Sequence, residues 1–193
     1  MRKAELNSQI NAGQVYLLLG EPQPASEHLE QASALLEPFP WFNWVFQPRL
    51  DAEWASYWIA RGDTRQAAIH AQAALDITRR SLVRKYMACS HRLLGDIAAL
   101  EDRVEDARRE YEAALGILAQ FPCPGVEWVV RKSYAGLARK IGESVAAGEH
   151  TSHAVAIVQG LADSVADGDL REKLLMSRAV RELKDSRYGS SGT

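Results

Sequence analysis

The sequence predicts an all-α protein: about four helical hairpins stacked side by side and closed by a C-terminal helix. Three observations predict it. Apolar residues recur at intervals of three and four rather than two along almost the whole chain. Glycine and proline break that periodicity at intervals, as at Gly20-Glu21-Pro22, Gly62-Asp63 and Phe121-Pro-Cys-Pro-Gly125. A fixed offset also repeats, in which a small residue is followed twelve positions later by alanine. The pairs are Gly13 and Ala25, Ala55 and Ala67, Gly95 and Ala107, and Gly142 and Ala154, and seven residues after each come Ala32, Ala74, Ala114 and Leu161. Such an offset marks stacked hairpins, because one hairpin alone cannot bury both of its faces.

The elements follow in order. Ala4 to Leu19 reads as the first helix, stopped by Gly20 with Pro22 just beyond. Ala25 to Leu36 is its partner, ending at Pro38. Arg49 to Ala60 follows, and Thr64 can cap a helix running to about Arg80. Val83 to Leu100 and Val104 to about Ala119 form the third pair. Glu127 to Ala147 reads as one long helix stopped at Gly148, and Thr151 or Ser152 can cap its partner to about Val165. A turn at Ala166-Asp-Gly-Asp leads to a ninth helix from Leu170 to about Lys184. This gives one solenoid domain over 1–185, with hairpins near 4–37, 49–80, 83–120 and 127–165, a cap near 169–184, and a polar, disordered tail over 186–193. Small residues at matched heights let paired helices approach, while neighbours such as Tyr16, Trp58 and Leu94 fill the flanking grooves.

Composition narrows the function. The chain has 193 residues, is 47% apolar and 25% charged, and carries 23 basic against 25 acidic residues. A net charge of -2 offers no concentrated positive field for nucleic acid or an anionic membrane. Cys89 and Cys123 read as two reduced thiols of a cytoplasmic protein, not a disulfide framework. No signal peptide opens the chain, and no run is long enough to span a bilayer.

Leu94-Gly95, Ala107, Tyr111 and Ala114-Leu115 together resemble a full tetratricopeptide repeat. Ala55, Gly62-Asp63, Ala67 and Ala74-Leu75 resemble a second, and Ala12-Gly13, Tyr16, Gly20, Ala25, Leu29 and Ala32 a third. Ile141-Gly142, Val145, Ala154, Val158 and Leu161 resemble a more degenerate fourth. The resemblance implies a right-handed superhelix with a concave, partner-binding groove. The family's period is about 34 residues. Here successive second-helix alanines lie 42, 40 and 47 residues apart. This is similar to the long-repeat form at the C-terminal end of large bacterial signalling proteins, namely ATPases of the maltose-activator type and ATPases fused to nucleotide cyclase domains. Asp169 to Leu183 looks like the closing helix of the cyclase-associated group. The resemblance implies a piece of such a protein or a free-standing relative.

No catalytic apparatus is visible: no Gly-Lys-Ser/Thr phosphate loop, no G-x-G-x-x-G and no G-x-S-x-G. His28, His70 and His91 stand alone on helices, and a base needs a positioned partner. His150 and His153 lie three apart beside Glu149 but lack further ligands, so neither a metal nor a cofactor is expected. On the concave wall the offset places Asn7, Ile10, Gln14, Arg49, Ala52, Ser56, Arg92, Asp96, Arg139 and Glu143. Arginines there can grip carboxylates of an acidic protein or peptide partner. Alternatively, Arg92 with Asp96 and Arg139 with Glu143 neutralise each other within their helices. The segment from Pro38 to Pro48 is dense in aromatics: eight of the chain's fifteen lie between 39 and 58. Trp41, Phe42, Trp44, Phe46, Trp54 and Trp58 either close the N-terminal core or form a docking patch or pocket wall. Arg79-Arg80 and Arg84-Lys85 read as solvated helix-end cations. The expected function is a non-catalytic protein-interaction scaffold; the alternatives are a small-ligand sensor with an aromatic-lined pocket and a passive spacer.

Overall fold

The computed structural model describes residues 3–38 and 43–188. Among these residues there are ten α-helices and no strand. Four hairpins run in sequence: α1 (Lys3–Leu19) with α2 (Pro22–Leu36), α3 (Asn43–Ala60) with α4 (Thr64–Ser81), α5 (Arg84–Leu100) with α6 (Val104–Gln120), and α7 (Pro124–Lys140) with α8 (Ser144–Asp163). Two short helices follow, α9 (Gly168–Leu175) and α10 (Arg178–Tyr188). The expected all-α stack is the architecture found. The tail expected over 186–193 starts later, because α10 runs to Tyr188, and residues 189–193 lie outside the described residues.

Each hairpin turns at one residue with left-handed backbone: Gly20 (φ 79°), Gly62 (φ 76°), Asp102 (φ 57°) and Gly142 (φ 81°). The next amide returns to a carbonyl five residues back, as in Glu21 N–H to Tyr16 O at 2.9 Å and Glu143 N–H to Ala138 O at 2.8 Å. This wrap satisfies the last carbonyls of the first helix. The turns therefore lie 42, 40 and 40 residues apart, which sets the true period.

That period corrects the fourth hairpin. The sequence reading placed Gly142 inside a helix, facing Ala154. Gly142 is instead the turn, so the expected long helix over 127–147 ends at Lys140. The fourth close-packed pair is Ala135 and Ala147, and Ala154 takes the place of Ala32, Ala74 and Ala114. Two further differences are local. α3 starts at Asn43 and carries Pro48 internally, so part of the aromatic segment is helical. The single expected cap over 169–184 is broken at Met176-Ser177 into α9 and α10.

The close approaches follow side-chain size. A Cβ on Gly13 would stand 2.7 Å from Leu29 Cδ2 and 3.4 Å from Ala25 O. One on Gly95 would stand 2.6 Å from the Tyr111 ring, so this glycine makes room for the tyrosine rather than for Ala107. At the equivalent heights of the second and fourth hairpins, Ala71 and Thr151 are small, and the first helix carries Ala55 and Ala135.

Successive first helices touch: α1 with α3, α3 with α5, and α5 with α7. Each second helix packs on the next first helix, giving an inner and an outer layer. The core runs along the seams, from Leu6, Ile10, Leu29 and Leu50 at one end to Tyr111, Tyr134 and Leu137 nearer the other. Val180 and Leu183 of α10 close the last seam against Ala154, Val158, Trp128 and Leu175. The stack curls far enough that Arg178 Nη1 lies 3.8 Å from where a Gly20 Cβ would stand.

Candidate interaction surface

The inner faces of α1, α3 and α5 carry a polar row. Arg49 donates from Nη1 to Asn7 Oδ1 at 3.0 Å and from Nη2 to Asn11, tying the first hairpin to the second. Ser56 donates back to Ala52 O at 2.9 Å, and Gln14 is exposed. Arg92 pairs with Asp96 one turn along, and Tyr111 Oη donates to Asp96 Oδ1 at 2.8 Å. Ile10 is fully buried, so it belongs to the core rather than the groove surface.

Arg139 and Glu143 do not continue this row. Counted from the turn, the residues equivalent to Arg92 and Asp96 are Lys132 and Gly136. Lys132 Nζ donates to Glu182 Oε2 at 2.9 Å. The expected Arg139–Glu143 pair does not form. Glu143 receives Arg108 Nη2 at 2.9 Å, and Arg139 Nη1 donates to Thr151 Oγ1 at 3.1 Å. The placement failed because a glycine can serve a close approach or a turn, and the offset alone does not separate the two.

Glu53 was not singled out from the sequence. It lies one turn beyond Arg49 and is 8% exposed. Burial pushes its carboxyl up to about 7, against the opposing pull of Arg92 and Arg49. Burial likewise pushes the neighbouring Cys89 thiol up to about 11. The equivalent residue of the first hairpin is Asn11, a neutral amide, and this contrast is the signal that could have flagged Glu53.

The histidines form another regularity that was missed. In three hairpins, residues nineteen apart pair across the two helices: Gln9 with His28 at 2.6 Å, Asp51 with His70 at 2.9 Å, and His91 with Glu110 at 2.7 Å. In the fourth the pair becomes Arg131 and His150. His150 stacks on Tyr134 with ring centroids 4.2 Å apart, and its Nδ1 is buried without a hydrogen bond. Burial, then Arg131 and His153, hold its pKa below the usual histidine value. His153 meets Arg131 Nη1 at 3.3 Å. Among the described residues no three His, Cys, Asp or Glu side chains gather to hold a metal.

The aromatic segment divides. Trp41 and Phe42 lie outside the described residues. Phe46 is in the first core cluster. Trp54 packs against that cluster, donates from Nε1 to Ser33 Oγ at 3.2 Å and stacks on His70. Trp58 packs on the second cluster and meets the edge of Tyr57. Trp44 alone of the described tryptophans stands out, 57% exposed at the start of α3. It borders a cleft of about 520 Å³ shared with Ile77, Arg80 and Ser81 of α4. No helix among the described residues is long and apolar enough to cross a membrane.

No protein-family model and no curated protein matches the chain. Solved structures do. A protein from Podosopora anserina, described as a putative kinesin light chain with nearly identical tetratricopeptide-like repeats, superposes with a TM-score of 0.57 at 16% identity, covering 97% of this chain and 99% of that one. A point variant of that protein gives 0.56 at 17% identity, covering 97% and 85%. The chain thus shares the tetratricopeptide-like helical repeat fold, and at this identity the likeness is one of fold.

Proposed function

We propose that the chain is a non-catalytic protein-interaction scaffold whose partner lies along the inner layer of the stack. One observation carries this reading. The first helices touch in succession, and their shared face is lined by polar groups, Asn7, Arg49, Arg92 and Asp96, held in place by the Arg49–Asn7 bond between α1 and α3, the Arg92–Asp96 pair within α5 and the bond that the buried Tyr111 of α6 donates to Asp96. A preordered polar wall suits a peptide, because fixed donors lose little freedom on binding. Among the described residues Arg49 bonds to neutral amides and to no carboxylate, so an acidic segment fits best. The long repeat supports a place in a cytoplasmic bacterial signalling system. A ligand sensor is less well supported, since Trp54 and Trp58 are packed against the core rather than around a pocket.

The test is a partner captured from the host cell, followed by hydroxyl-radical footprinting of the complex. Protection is expected on the inner faces of α1, α3 and α5. Arg49→Glu with Arg92→Glu should abolish capture while the helical spectrum is retained. Full capture by that folded double variant, or protection confined to α2, α4 and α6, would reject the groove.

A further inference from the structure

We propose a second docking site on the edge of the stack opposite the hairpin turns, where the start of α3, the end of α4 and the start of α5 meet. It takes an acidic peptide segment carrying one aromatic or leucine anchor, and it is independent of the inner groove. The comparison of equivalent hairpins carries the inference. In the third hairpin, the α5 start and the α6 end meet through Arg84, whose guanidinium lies 5.1 Å from the Phe121 ring centroid. Counted from the turns, Arg84 corresponds to Trp44, and Phe121 to Ser81. The second hairpin therefore has an aromatic on its first helix but only a serine where the third has its aromatic partner. The space that an aromatic would occupy is left as the cleft of about 520 Å³ between Trp44, Ile77, Arg80 and Ser81.

Arg80 lines that cleft, and the chain around it is basic. Arg79, Arg80, Arg84 and Lys85 lie within seven positions of one another, and among the described residues none forms an ion pair. By contrast Arg108, Arg131 and Lys132 each sit against a carboxylate. The one carboxylate on the neighbouring turn, Asp76, is engaged by Gln72 at 2.8 Å, while Arg80 Nε bonds only to its main-chain oxygen. Leu82, 60% exposed, adds apolar surface between the two cation pairs. An exposed tryptophan beside four cations that face no carboxylate among the described residues, Arg84 and Lys85 resting on the Phe121 and Tyr86 rings, is complementary to an acidic segment with one large side chain. Exposed aromatics of this kind contribute most of the affinity of such contacts, and the cations steer and orient the acidic flanks.

The probe is a fluorescein-labelled peptide, Glu-Asp-Glu-Leu-Trp-Glu-Asp-Glu, read by anisotropy at low salt. Binding is expected to weaken with salt. In protein whose inner groove is disabled by Arg49→Glu with Arg92→Glu, adding Trp44→Ala should weaken it about tenfold, and adding Arg80→Glu with Arg84→Glu should abolish it, with melting unchanged by either addition. The inner-groove variant Arg49→Glu with Arg92→Glu removes any share of the acidic probe held by the groove, and the binding that remains should fall again when Trp44→Ala is added, which separates this site from the groove. The proposal is overturned if the peptide does not bind, if Trp44→Ala binds equally well, if the groove variant loses all binding, or if oligothymidylate or phosphatidylserine vesicles bind more tightly than the peptide.

Discussion

Glu53 shows how one side chain can set the response of the whole chain to pH. Its carboxyl is buried between α3 and α5, close to Cys89, with Arg92 and Arg49 too distant to form a bonded pair. In the folded protein it holds its proton up to about pH 7, against an ordinary value of 4.5. An unfolded chain releases that proton near 4.5. The stabilising contribution is therefore complete below 4.5 and is lost as pH rises through 7. The shift corresponds to about 3 kcal/mol across that window. Glu53→Gln should remove this dependence, so that the variant gains on the wild type as pH climbs from about 5 to about 8. Denaturant titrations of both proteins at several pH values measure the difference, in which other titrating groups cancel. Parallel stability profiles would show that the carboxyl is not held neutral by burial.

At the scale of the hairpin, the fold was legible and its phase was only partly so. Ala25 and Ala67 could be placed because the glycine turns at Gly20 and Gly62 stand just before their helices, and Ala107 followed by the same twelve-residue offset from Gly95. The third turn is made by Asp102, a residue the glycine rule does not flag, although aspartate tolerates left-handed backbone. With that turn unmarked, the 40-residue spacing from Asp102 to Gly142 was not visible, and Gly142 was assigned to a helix. The displaced phase carried Arg139 and Glu143 into the groove and hid Lys132. The size matching of Gly95 to Tyr111 was invisible for another reason: it depends on which residue of the second helix stands opposite, and only the packed hairpin fixes that. The turns give a paired test. Gly142→Ala forces a side chain into the left-handed region and should lower stability by about 1 kcal/mol. Asp102→Gly relieves the same strain, offset by the loss of its exposed pair with Lys140, and should be neutral or stabilising by up to about 1 kcal/mol. Thermal melts should therefore move in opposite directions or leave only the Gly142 variant lowered. A Gly142→Ala protein as stable as the wild type would place the turn elsewhere.

Across the whole molecule, stability depends on contacts between neighbours, since each hairpin touches mainly the ones before and after it. The two ends differ. α1 leaves Val15, Leu18 and Leu19 exposed, whereas the last hairpin is covered by α10 through Val180 and Leu183, each 1% exposed. The cap is held from both sides of the last hairpin, by apolar contact with α8 and by Lys132 of α7 bonded to Glu182. Leu183→Ala removes the larger of the two apolar plugs and should destabilise the covered seam by about 2 kcal/mol. In a nearest-neighbour stack that loss is local before it is global. Hydrogen exchange should thus quicken first in α7 and α8, with α3 to α5 keeping wild-type protection. Arg178 reaches the space over Gly20, so the α1–α2 turn is the one distant place where faster exchange is also expected. A uniform loss of protection from α1 to α8 would mean that the hairpins unfold as a single cooperative unit, with α10 stabilising all of them together.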